Sequence, residues 1–140
     1  MIERKEILNE RTIIIGVIKP GDTDETINEH LDELELLAQT AGAEVVGRIT
    51  QKISKINSAT FIGKGKADQI IAQAKELEVK LIIFDDELSP GQIKNYHNLS
   101  DKIKVLDRSG LILDIFRKHA RTKEATTQVD LAYLEYLLPR

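Results

Sequence analysis

The chain contains no cysteine, which excludes disulfides and thiolate metal sites and makes an intracellular protein the simplest reading. No apolar run approaches the length of a membrane span, and the charged start MIERKEILNERT has no signal-peptide core. A cytoplasmic protein without a membrane span is therefore expected. Neither sign of charge dominates: 20 Lys and Arg against 23 Asp and Glu give a net charge of -3, so any nucleic-acid binding must come from local patches. The three histidines, His30, His97 and His119, fall on three separate predicted helices and form no ligand spacing. No nucleophile–base pair is recognisable, so neither a catalytic residue nor a metal ligand is assigned. What remains is 41% hydrophobic and 31% charged over 140 residues, enough chain to bury one real core.

Strands and helices alternate. Thr12–Ile18 (TIIIGVI) is a continuous β-branched run, the pattern of a strand covered on both faces. After the turn Lys19-Pro20-Gly21-Asp22, Asp22 and Glu25 have the form of a capping box, and Ile27, Leu31, Leu34 and Ala38 mark one helix face. Gly42 is placed to stop that helix. Ala43–Gln51 reads as a second strand, and Gln51–Ser58 as a polar, basic loop. Ala59–Ile62 is strand-like, and Gly63-Lys64-Gly65-Lys66 leads into a helix with Ala67, Ile70, Ile71, Ala74 and Leu77 on one side. Lys80–Phe84 is the clearest central strand. Ser89, Pro90 and Gln92 form a strong helix start, with Ile93 and Tyr96 facing inward. Ile103–Leu106 is the last strand. The alternation predicts an α/β fold, a mostly parallel sheet flanked by helices.

The end of the chain differs. After a turn at Asp107-Arg108-Ser109-Gly110, Leu111, Ile112, Ile115 and Phe116 recur at helical spacing, and no glycine or proline intervenes before Pro139. Thr122 is suited to cap a new helix, which predicts a break near Arg121–Thr122. Beyond it, Val129, Leu131, Ala132, Tyr133, Leu134, Tyr136, Leu137 and Leu138 put apolar surface on more than one side, a pattern that normally requires a covering partner. We therefore divide the chain into an α/β domain over 1–108 and a C-terminal helical projection over 109–140.

Four stretches could carry function, each beside a plainer reading. The turn around Gly63, Lys64, Gly65 and Lys66 could present N–H and ammonium groups to a phosphate, or be a tight βα turn. It is not a P-loop, whose pattern occurs nowhere in the chain. Asp85, Asp86 and Glu87 follow a strand, where a Mg²⁺ site or phospho-acceptor is conceivable, or where acids simply favour the next helix's positive end. Asp107 and Arg108 follow the neighbouring strand, and a contact of Arg108 with Asp85 or Asp86 would be structural. Arg117, Lys118, Arg121 and Lys123, with Lys52, Lys55, Lys64 and Lys66 as a second group, could dock on RNA phosphates or form solvated faces.

Taken in order, FIGKGK, LIIFDDELSPGQIKN, VLDRSGLILDIF, ARTKEA and QVDLAYLEYLLPR resemble the N-terminal region of the HflX family of ribosome-associated GTPases. The resemblance runs from roughly Thr12 to Arg140. It implies an α/β domain carrying the first arm of a helical hairpin, non-catalytic by itself. It also implies as partners the large ribosomal subunit with its rRNA, and the G domain of the full-length protein. GTP and Mg²⁺ are implied for that G domain and no cofactor for this chain. Family members can split stalled ribosomes, particularly under stress. The sequence departs from the family in lacking prolines in SKINSA, in having Glu78 where glycine is common, and in having Thr126-Thr127 before QV. Two alternatives stand beside this reading: a nucleotide-binding domain using the GKGK turn, and a self-associating module pairing through the terminal helix.

Overall fold

Arg11–Ile18, strand β1, is buried almost throughout because neighbours lie on both edges and helices on both faces. The computed structural model describes residues 9–120 and 122–138. β1 is followed by α1 (Asp24–Thr40), β2 (Glu44–Lys52), α2 (Lys64–Glu76), β3 (Leu81–Phe84), α3 (Pro90–Leu99), β4 (Lys104–Asp107), α4 (Arg108–His119) and α5 (Lys123–Leu137). The sheet has the order β2-β1-β3-β4 and every pairing is parallel. In register, Ile13 and Ile15 lie beside Ile82 and Phe84, and Phe84 beside Asp107.

Side chains alternate across the strands, giving two cores. Ile13, Ile15, Val17, Ile82, Phe84 and Val105 pack with α2 and α3 through Ala67, Ile70, Ile71, Ala74, Ile93 and Tyr96. Ile14, Ile18, Leu81 and Ile83 pack on the other face with Ile27, Leu31, Leu34 and Ala38 of α1 and Leu111 of α4. The apolar faces of α1 and α2 are those the spacing predicts, except that Leu77 ends α2 and is exposed.

Several local expectations are corrected. Thr23, not Asp22, caps α1, accepting from the Thr26 N–H at 3.1 Å. The Asp22 carboxylate instead closes the preceding turn on the Lys19 N–H at 2.9 Å. Residues 59–62 form no sheet strand. Asn57 Oδ1 accepts from the N–H groups of Ala59 and Thr60, folding the segment into a compact loop with Phe61 at φ 71°. No separate turn follows β4, because Asp107 caps α4 directly through the Gly110 N–H at 2.9 Å and the helix starts at Arg108.

The terminal stretch is two helices, with Thr122 capping the second as its sequence predicts. The division at 108/109 does not match the packing. Leu111 is fully buried and Ile115 packs against the same core, so α4 belongs to the layered body. Phe116 points out, 57% exposed. α5 turns back along α4, with Asp130 at Arg117 and Tyr136 at Asp107, and none of its described residues is buried.

Candidate functional site

In an open parallel sheet, ligands favour the crevice where successive crossovers leave a strand in opposite directions, beyond the strands' C-terminal ends. Here that point lies between β1 and β3. Lys19 follows β1, and its ammonium ion-pairs with the Asp86 carboxylate at the end of β3. Beside it, Arg108 donates from Nε and Nη2 to Asp85 Oδ1 at 3.0 and 2.6 Å, and from Nη1 to Glu33 at 2.8 Å. It also reaches the His30 carbonyl at 3.3 Å. Partial burial alone lowers the Arg108 pKa, but the hydrogen bonds and charges of Asp85 and Glu33 outweigh it, so the net shift is upward. Arg108 stays charged and stitches α4, β3 and α1 together. Asp85 and Asp86 are thus committed to Arg108 and Lys19, while Glu87 is exposed. Among the described residues no cluster of His, Asp or Glu could hold a metal ion.

Asp107, fully buried, extends this network. Its Oδ2 accepts from the Leu88 N–H at 3.1 Å while Oδ1 caps α4. Ser89 begins the next helix with both halves of a capping box, Gln92 N–H to Oγ at 3.1 Å and Ser89 N–H to Gln92 Oε1 at 2.8 Å, and Pro90 opens it.

The glycine turn sits at the same end of the sheet. Gly63 has φ 99°, a conformation glycine adopts without strain, and precedes α2 with no side-chain cap. The loop before it is held by α3. Tyr96 Oη donates to the Thr60 carbonyl at 2.7 Å, Gln92 to that of Asn57 at 2.9 Å, and Asn95 to that of Ala59 at 2.8 Å. Lys64 and Gly65 are exposed. Lys66 turns back to the Lys52 carbonyl at 2.6 Å, securing the end of β2.

The basic run is also divided by the fold. Arg117, only 7% exposed, forms an ion pair with Asp130 at 3.1 Å and lies 4.5 Å over the Tyr133 ring. Lys118 donates to the Ala41 carbonyl, the end of α1, and lies 3.6 Å from Asp114. These two cations therefore fasten helices, which corrects their reading as a free phosphate-facing pair. Lys123 is exposed in the first turn of α5. Arg121 lies outside the described residues. What the arm does present is apolar: Leu131, Leu134, Leu137 and Leu138 are all exposed, Leu138 to 80%. Among the described residues no helix is long and apolar enough to cross a membrane.

Sequence reasoning missed the Lys19–Asp86 pair and the Tyr136 contact with Asp107. Lys19-Pro20 and FDDEL were visible as strand ends, and only the order β2-β1-β3-β4 makes them neighbours. Tyr136 carried no signal beyond its place on an apolar helix.

Residues 28–117 match the family described as GTP-binding GTPase N-terminal. The chain is 48% identical over 140 residues to a GTPase HflX of Flavobacterium psychrophilum, covering all of this chain and 34% of that relative. It is 44% identical to a GTPase HflX of Alkalihalophilus pseudofirmus, over 99% of this chain and 32% of that one. The chain thus spans about a third of the length of these curated relatives. Among solved structures, a GTP-binding protein of Sulfolobus solfataricus in complex with GDP superposes with a TM-score of 0.70 at 29% identity, covering 92% of this chain and 37% of that one.

Proposed function

The chain belongs to the GTP-binding GTPase N-terminal family carried by HflX GTPases, and from that premise we propose that it is a non-catalytic domain that binds the large ribosomal subunit. The observation that supports this best is the contrast between a rigid, doubly covered sheet and α5, an arm with no buried described residue. Such a body holds the arm at a set angle while polar contacts to rRNA phosphates place it on the subunit. Of the cations proposed as phosphate contacts, Lys64 and Lys123 face solvent and are assigned that role first. In full-length relatives, nucleotide chemistry with GTP and Mg²⁺ would reside in the G domain. This domain would pass the nucleotide state to the ribosome contact, contribute to the splitting of stalled ribosomes under stress, and act in the cytoplasm.

The test is co-sedimentation of the chain with purified large subunits across a salt series. The expected outcome is association that weakens steadily as salt rises, as counterion release requires. The variant Lys64→Ala, Lys123→Ala should show weaker binding and a shallower slope. Absence of association at every salt concentration would reject autonomous ribosome binding.

A second reading has its own observation: the uncapped start of α2 beside exposed Lys64 is suited to a nucleotide phosphate. Titration with labelled GTP and ATP plus Mg²⁺ decides it. No binding at millimolar nucleotide removes this reading and leaves the first intact.

A further inference from the structure

Among the described helices, α5 alone has no buried residue. Its side-chain contacts with α4 and the end of β4 include Asp130 with Arg117, Tyr133 beneath the same guanidinium, and Tyr136 Oη donating to Asp107 Oδ1 at 2.6 Å. The last contact is seated on a glycine. A Cβ at Gly110 would lie 2.5 Å from Tyr136 Oη and 2.9 Å from its Cζ, so any larger residue at 110 would make the ring shift from its present seat.

We infer that Tyr136, seated on Gly110 and bonded to Asp107, is a latch that holds α5 against α4 and whose opening undocks the arm from the body. Three features make opening inexpensive. Asp107 keeps the Gly110 and Leu88 N–H groups at 2.9 and 3.1 Å, so the buried carboxylate is not orphaned when the tyrosine leaves. Leu111 stays in the core with α1, so the body does not depend on the arm. Ala120, in extended conformation between α4 and the Thr122 cap, is a hinge that leaves α5 its own N-terminal hydrogen bond. The body has two buried apolar cores, whereas the arm has no fully buried described residue, and elements with little buried apolar area open first.

The proposal does not rest on the ribosome reading, and its test uses the 140-residue chain alone. A helix of this length is marginal in water when undocked, so opening of the latch appears as faster amide hydrogen exchange in residues 126–137. Tyr136→Phe removes one hydrogen bond and should speed exchange there about fivefold, the factor for a typical net contribution of about one hydrogen bond. Exchange in β3 and α1 should stay unchanged. Gly110→Ala should speed it more, about tenfold or above, by displacing the ring. In a Tyr136→Ala background, where nothing occupies the space, Gly110→Ala should add nothing. Unchanged exchange in Tyr136→Phe overturns the latch. So does faster exchange throughout the body, or an equal effect of Gly110→Ala in both backgrounds.

Discussion

Strand β3 and helix α5 are the two extremes of this chain. All of Leu81–Phe84 is buried, in a strand with neighbours on both sides and a helical layer over each face. Nothing described in Lys123–Leu137 is buried. The first is fixed by apolar area removed from water, which is large, non-directional and tolerant of small displacement. The second has half-buried residues at most, and its contacts include an ion pair, a cation over a ring and a hydroxyl on a carboxylate, which depend on geometry more than burial does. Stability and positioning are thus divided between different physical interactions in different regions.

The largest expected effect tests that division directly. Ile83→Ala, at a fully buried site in the central strand, should cost about 2–5 kcal/mol in chemical denaturation. Leu134→Ala in the arm, at a site 41% exposed, should stay within about 0.5 kcal/mol. Comparable losses at the two sites would break the comparison.

Next in size is Tyr96→Phe. It removes the 2.7 Å bond to the Thr60 carbonyl while keeping the ring in the core, and should cost about 1–3 kcal/mol by leaving that acceptor unpaired. Burial raises the Tyr96 pKa. The folded state therefore holds this proton more tightly than the unfolded one. The associated stability is complete below the unfolded pKa of about 10 and is lost as pH rises above it. Wild type should accordingly lose stability above that pH more steeply than Tyr96→Phe, measured by denaturation at matched ionic strength. Parallel curves would show that this hydroxyl does not sense burial.

The smallest effect sharpens the comparison from the body's own surface. Arg48 bonds Asp32 at 2.5 Å and Glu35 at 3.0 Å, tying β2 to α1 where solvent screens all three groups. Arg48→Ala should cost no more than about 1 kcal/mol in denaturation, and less in high salt. A loss rivalling that of Ile83→Ala would mean that solvent-exposed ion pairs hold the body as strongly as burial does.

The same contrast explains what could be read beforehand. Ile27, Leu31, Leu34 and Ala38 are buried as their spacing predicts, because periodicity records burial against a broad apolar surface. The box of Ser89 and Gln92 was legible because it is local. Glu78, where the family commonly has glycine, takes the left-handed backbone at φ 58°. Phe61 was misread as part of a strand because its β-forming neighbours carry no trace of the Asn57 turn. Arg117 was misread as a solvent cation because its cover, Tyr133 and Asp130, lies on the next helix. Gly110 looked like a turn, whereas it is space for a ring 26 positions later. Contacts between distant segments with exact geometry leave no period in the chain.

Among the described residues, β2 closes one side of the sheet with no further strand beyond it. An unpaired strand edge is a template for uncontrolled stacking into fibrils. This one presents exposed Glu44, Arg48 and Lys52, and a further strand docking there would have to strip water from those charges and compete with the pairs Arg48 makes with α1. At this edge, therefore, strand addition is disfavoured by the same charges that keep β2 in contact with water.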